Sequence, residues 1–381
     1  MEVKINGEIL KWARECVNLS IEEAVLKTKL KSLTNNDLLQ FENGEKFPKI
    51  NIAKNLAKIY GINLAVLYMP RVPKNIQPKI NDFRQITNKL SRNAVLLIRK
   101  LVSHQEWLKE YLISNGYKEL DFVGMVSIKN TSIKETIKII ENKLNVQVNY
   151  NKDSKFNFNE IKKSLENKNI FISIANSHNC NFKYKVEVQE IRGFAIADKI
   201  APFIFINSSD SDNAKLFTLI HELVHILIGE TGISNIYSND TKNKVEVYCN
   251  KVASELLIPD KIFIKYWEEY KEDNIENKIL KLSKQFPSSQ LAIIVKAKSL
   301  KYIDENIFHN FFNRFSNKKI TKNDDKKGGA DYYKTIDKLN TKKFANYVLE
   351  AYHDNEITLR DVYDLLSVKS NNLKKYIDRT L

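Results

Sequence analysis

The sequence predicts an α+β chain in three parts: an all-helical N-terminal domain, a central domain that pairs a small β-sheet with helices, and a helical C-terminal extension. Three observations carry that prediction. The first 70 residues hold only helix signals. Short β-rich runs are confined to residues 170–206. Helical periodicity returns from about residue 212, broken by a polar, glycine-ended stretch at 318–329 that reads as a linker. At 381 residues the chain is too long for one ordinary core, and with 43% hydrophobic residues it can bury more than one. The boundaries that follow are 1–70, 71–125, 126–317 and 330–381.

The N-terminal part is justified helix by helix. Ile9, Leu10, Ala13 and Val17 follow helical spacing. Ser20 and Glu23 form a capping box before a second helix, and a turn follows near 29–33. Thr34 caps a third helix from Asn35 to about Asn43, ended by Gly44. Pro48 and Asn51 precede a fourth helix and Asn63 a short fifth. A tightly joined second and third helix is a helix-turn-helix arrangement, so double-stranded DNA is the expected partner. Lys27, Lys29 and Lys31 are placed to contact phosphates, and Asn35, Asn36 and Gln40 to read adenine edges. Asp37 and Glu42 oppose the phosphate backbone, and docking a protein is the competing use of the same module.

Residues 70–82 hold three prolines and read as an extended linker. Residues 84–117 read as one or two long helices, and 132–145 and 158–167 as further helices. FISIA, YKVEVQEI, GFAIAD and APFIFIN read as short strands. Helices fill 212–314. In the last 50 residues, ITLRDVYDLLSVKSNNLKKYI resembles a second helix-turn-helix pair that lacks a glycine turn.

Charge and cysteine usage bound the function. The formal net charge is +15, from 61 Lys+Arg against 46 Asp+Glu, which attracts polyanions. Lys, Asn and Ile are abundant, as an AT-rich coding sequence would make them, so charge alone decides nothing. Mean hydropathy is −0.39, and no apolar run approaches the roughly 18 residues of a membrane span. The charged N-terminus is not a signal peptide. Cys16, Cys180 and Cys249 lie far apart, which excludes a disulfide framework and fits a reduced cytoplasm.

The chemistry resides in His221-Glu222-Leu223-Val224-His225, inside the apolar run LFTLIHELVHILIG. Histidines four apart share one helix face, so both rings reach one metal ion, and zinc takes such nitrogens. Glu222 is rotated by about 100° from His221, which sets its carboxylate beside the metal's open position as a general base. A catalytic zinc needs a third protein ligand. Glu230 closes the same helix facing away. Glu246, in the first turn of a second helix, EVYCNKVASELLIP, is favoured; Glu255, near that helix's end, competes. Asn250 either orients a ligand histidine from behind or is a plain surface amide. APFIFIN precedes the active helix, so Phe205, Ile206 and Asn207 are assigned to an edge strand that binds extended peptide, with an ordinary interior strand as the alternative. Tyr248, His178 and Lys185 are candidates to steady an oxyanion.

These motifs resemble the ImmA/IrrE family of metallopeptidases. The resemblance rests on Gly193, Phe194 and Ala195 in one strand and Asn207 at the end of the next. It continues through Phe217, Thr218, Leu219, His221, Glu222 and His225, then Glu246, Asn250, Ala253, Leu256, Leu257 and Pro259. Cys249 stands where the family usually has Ala. The first 70 residues resemble an XRE-type helix-turn-helix, in which Glu42 matches a position that holds the turn, and Asn-Asp-Phe-Arg after the linker is typical of the fused form. The resemblance implies a zincin-like fold with His221, His225 and Glu246 on Zn2+, Glu222 as general base, and cleavage of a regulatory protein such as a repressor. The competing function is a DNA-binding regulator or antitoxin whose zinc is structural or vestigial.

Overall fold

The computed structural model describes residues 1–73, 90–178, 184–234, 244–316 and 332–380. The polar stretch at 318–329, most of the proline-rich linker, Asn-Asp-Phe-Arg and Cys180 lie outside the described residues.

Capping chemistry starts and stops the first helices. They are α1 (Gly7–Glu15), α2 (Ile21–Thr28), α3 (Asn35–Asn43) and α4 (Ile50–Tyr60), followed by a 3-10 turn, Leu64–Tyr68. Ser20 with Glu23 and Thr34 with Asp37 both close reciprocal capping boxes. Arg14 donates to both oxygens of Glu42, at 2.7 and 2.8 Å, and to the Leu19 carbonyl. Glu42 is therefore a buried strut between α1 and α3. Its expected repulsion of a nucleic-acid backbone is corrected, because its charge is neutralised inside the fold.

Next come α5 (Arg92–Ser114), α6 (Ile133–Asn142) and α7 (Ser154–Asn167), then β1 (Phe171–Ala175), β2 (Gly193–Ile196) and β3 (Phe203–Asn207). α8 (Asp212–Ile228), β4 (Gly232–Ser234) and α9 (Lys244–Leu257) follow, then α10 (Asp260–Glu269), α11 (Ile275–Gln285), α12 (Gln290–Ser299) and α13 (Glu305–Ser316). The chain closes with α14 (Tyr332–Leu339), α15 (Lys342–His353), α16 (Leu359–Leu366) and α17 (Leu373–Thr380).

The sheet order is β1-β3-β2-β4, with β1 parallel to β3 and the other pairs antiparallel. This corrects the edge-strand assignment. β3 pairs with β1 on one side and β2 on the other, so Phe205, Ile206 and Asn207 are interior and buried, and their backbone has no free edge to offer a peptide. A second correction concerns YKVEVQEI. Residues 184–191 form no strand. Their carbonyls are used otherwise: the Asn207 amide donates to Val186 and Ile191. β4 was not anticipated.

The strands are apolar on both faces because the sheet divides two cores. Phe171, Phe194, Phe203 and Phe205 face a core shared with α1, α4, α5 and the C-terminal helices. Ile172, Ile174, Ala195, Ile204 and Ile206 face a second core built with α7, α8, α9, α10 and α12. The alternation in Phe-Ile-Phe-Ile sorts the two layers at the β period of two.

Candidate metal centre

α8 lies on the isoleucine face of the sheet, every side chain from Thr218 to Leu227 buried. Its start is capped by Ser211, which accepts from Ala214 N. Its end stops at Gly229 in the left-handed region (φ 82), a conformation that favours glycine. The last carbonyls are satisfied from outside the helix: Gly124 N–H donates to Ile226 and Val126 N–H to Leu227. A helix held at both ends keeps the rings in its last two turns in place.

His221 and Glu222 are fully buried and His225 nearly so. The Nε2 atoms of His221 and His225 are 3.1 Å apart. Glu246, in the first turn of α9, brings Oε2 to 3.2 Å from His221 Nε2 and Oε1 to 3.2 Å from His225 Nε2. These three side chains form a group able to hold a metal ion. The spacing fits zinc: ligands at roughly 2.0–2.1 Å in a tetrahedron stand about 3.3 Å from one another. Two buried ring nitrogens and a carboxylate converging on one point is the arrangement of a ligand set.

The electrostatics follow. Burial pushes His221 towards its neutral form, against the Glu246 carboxylate, which accepts from the ring and favours the proton. Burial also disfavours charge on His225, but hydrogen bonds to Cys249 and Glu246 outweigh it and hold the ring's pKa well above 6.5. Burial would raise the Glu246 carboxyl, yet the two imidazoles keep it well below the usual carboxylate range. The carboxylate thus favours positive charge at the point where the two rings meet, the place a divalent cation would take.

Glu222 sits one residue past His221 and lies over Gly193 of β2. A Cβ at Gly193 would stand 3.1 Å from Glu222 Oε1, 2.6 Å from Thr218 Cγ2 and 2.8 Å from the Phe205 carbonyl oxygen. Only a residue with no side chain lets α8 come this close to the strand. Sequence reasoning noted Gly193 as a motif position but not this contact, and it missed the Cys249–His225 contact. Nothing short of the helix pairing signals either.

Asn250 stands close enough to His221 to favour its protonated form slightly, while Asn250 Oδ1 and His221 Nδ1 are both buried without a hydrogen-bond partner among the described residues. Glu255 is committed elsewhere: it pairs with Lys296 at 2.8 Å and accepts from Asp260 N–H. Glu230 is exposed beyond Gly229. The oxyanion candidates are engaged apart from the ligand trio. The Tyr248 hydroxyl donates to Thr131 O and meets Thr136 Oγ1 at 2.6 Å. Lys185 pairs with Glu187, and the His178 ring lies tilted against Tyr184 near Arg92. In the N-terminal module, Lys27, Lys29, Lys31, Asn35 and Asn36 are exposed and Gln40 is half-buried. Asp37 is paired with Lys46 at 2.7 Å.

No described helix is long and apolar enough to cross a membrane. No curated protein matches the chain. Among solved structures, the competence regulator ComR from Streptococcus vestibularis in complex with its cognate signaling peptide XIP is 14% identical. That alignment covers 81% of this chain and 96% of that one, with a TM-score of 0.15. The family model of the IrrE N-terminal-like domain, Peptidase_M78, matches residues 143–297. That stretch contains His221, Glu222, His225 and Glu246, so the part of the chain that is similar to the IrrE N-terminal-like domain holds the whole candidate site.

Proposed function

We propose that this protein is a zinc-dependent endopeptidase with a DNA-binding helix-turn-helix module, and that it cleaves a regulatory protein such as a repressor. The observation that supports it most is the convergence of His221, His225 and Glu246 within 3.1–3.2 Å of one another, beside the buried carboxylate of Glu222. The three would hold Zn2+ through two nitrogens and a carboxylate. Bound there, zinc supplies Lewis acidity that lowers the pKa of water and polarises a peptide carbonyl.

The chain's own residues do the rest. Glu222, as general base, takes a proton from the attacking water onto a carboxylate oxygen and later delivers it to the departing amine nitrogen. Gly193 keeps that carboxylate close to the strand, so its position is set by packing before substrate arrives. Asn250 steadies His221 and Cys249 steadies His225, each from the side of α9. Glu222 also separates this reading from a structural zinc. A structural site closes its fourth position with protein, and among the described residues the ligand group has three members.

In the N-terminal module, Lys27, Lys29 and Lys31 contact phosphates while Asn35, Asn36 and Gln40 face base edges. The burial of Glu42 and the pairing of Asp37 with Lys46 favour this, because they remove two negative charges from the approach. The test uses zinc-loaded protein incubated with the products of neighbouring genes. Cleavage should occur with the native protein and stop with Glu222→Gln while zinc content stays stoichiometric. His221→Ala, His225→Ala and Glu246→Ala should each lose the metal. Zinc loss in Glu222→Gln equal to that of the histidine variants would make Glu222 a ligand and end the base assignment.

A further inference from the structure

The C-terminal helices repeat the geometry of the N-terminal pair. α2 opens on the Ser20–Glu23 capping box, runs 8 residues and stops at Lys29 in the left-handed region (φ 58, ψ 18). α16 opens on the Thr358–Asp361 capping box, runs 8 residues and stops at Ser367 in the same conformation (φ 57, ψ 26). In each pair the next α-helix begins six residues after the left-handed one, at Asn35 and at Leu373, the second directly behind a short 3-10 turn, Ser370–Asn372, that the first pair lacks. Burial follows the same register. Ala24 and Val362 lie five residues before the left-handed position, Thr28 and Leu366 one before, and Leu38 and Tyr376 nine after; all six are buried. A left-handed asparagine precedes each pair, Asn18 (φ 52) and Asn355 (φ 61). The likeness lies in caps, turn and burial, so no sequence repeat reveals it.

The two units differ in charge. α3 has no Lys or Arg. α17 exposes Lys374, Lys375 and Arg379, with Asp378 among them, and Lys369 stands exposed in the turn at the place Lys31 holds in the first pair. Lys375 Nζ lies 5.4 Å and Arg379 Cζ 4.9 Å from the centroid of the Tyr333 ring, which groups them on one side. The ion pairs among the described residues of these helices are His353–Asp354 and Arg360–Asp364, and the four cations take no part in either. Cations left free of carboxylates on a turn and second helix match what a phosphate backbone requires.

We propose that residues 342–380 form a second helix-turn-helix unit, which grips duplex DNA through phosphate contacts from Lys369, Lys374, Lys375 and Arg379. It shares the DNA-binding reading given above but none of its residues. The two ends of the chain then divide the work, with amides at the N-terminal unit facing bases and cations at the C-terminal unit supplying charge.

The test uses the full chain and a duplex of about 25 base pairs, with affinity measured between about 50 and 200 mM salt, where phosphate contacts weaken most visibly. The variant Lys369→Gln/Lys374→Gln/Lys375→Gln/Arg379→Gln should flatten the slope of log K against log salt by about 3–4 units, since each lost contact removes roughly 0.9. Lys374→Glu, which lies off the Tyr333 ring, keeps the test valid if the quadruple variant misfolds; it should flatten the slope by about 1 unit or more. A native slope in both variants overturns the proposal. If Lys27→Gln/Lys29→Gln/Lys31→Gln then flattens it, the N-terminal DNA reading survives alone. Loss confined to the C-terminal variants supports the proposal and removes the N-terminal contacts. No duplex affinity in the native protein at about 50 mM salt overturns both, and an acidic protein becomes the partner to seek.

Discussion

Replacing Gly193 with alanine tests the packing that places the candidate base. The added methyl would meet Thr218 Cγ2 at 2.6 Å and the Phe205 carbonyl oxygen at 2.8 Å, against the roughly 3.5–4.0 Å of a relaxed carbon contact. Neither neighbour yields cheaply. Phe205 is held in the middle of the sheet, paired to both sides. Thr218 is β-branched on a helix, so its rotamers are few. α8 must therefore retreat by about 1 Å from β2, or the strand must bend. An overpacked core of this kind costs about 1–3 kcal/mol. A loss of about 2 kcal/mol lowers the melting temperature by about 4–8 °C in a unit of this size. The same shift moves His221, one turn beyond Thr218, away from Glu246. Zinc affinity should fall by about 10–100-fold, as it does when a supporting contact around a metal is lost. Calorimetric melting of the metal-free protein and a competition titration with a zinc chelator measure the two effects. Adding Thr218→Ser, which deletes the closer clash, should recover part of both. Native stability within about 0.5 kcal/mol together with native zinc affinity would refute the reasoning, because the close approach would then place nothing.

Other outcomes follow from the same geometry. Glu42→Gln should destabilise the N-terminal helices by about 3–5 kcal/mol, the usual cost of leaving a buried charge without its partner, read by denaturant unfolding; a loss under about 1 kcal/mol would mean Arg14 reaches water instead. The Asp37 carboxyl is held down to about 2 by Lys46 and Thr34. Its folded pKa lies below the unfolded value of 3.8, so its contribution is complete above that value and is lost as pH falls towards 2. Asp37→Asn should remove that part of the acid-unfolding curve and leave the rest. Glu255→Ala should keep full zinc content but lower the melting temperature, because Lys296 is buried against it and retains only Asp260. Metal loss in that variant would show that the two helices pair differently.

Much of this molecule follows from local chemistry and was legible in the chain itself. Capping residues and glycines stop and start helices through contacts a few residues apart, which is why Ser20, Thr34 and Gly44 mark real ends. His221 and His225 share a face by helix geometry alone, and Glu246 was within reach because it opens the following helix. Contacts between distant segments are another matter. Whether APFIFIN lay at an edge depended on which strands flanked it, and β4, three residues long, left no signal of its own. The run 184–191 alternates like a strand, but its carbonyls went to the Asn207 amide. Glu42 reads both as a charge opposing phosphate and as a match to a turn-holding position, and only its partner Arg14, 28 residues earlier, decides for the second. The closeness of α8 to β2 at Gly193, and the sharing of one core by both ends of the chain across the phenylalanine face of the sheet, come only from tertiary packing. Periodicity states which side of an element is apolar. It does not state which other apolar side will cover it, since the hydrophobic effect has no direction and many partners bury equal area.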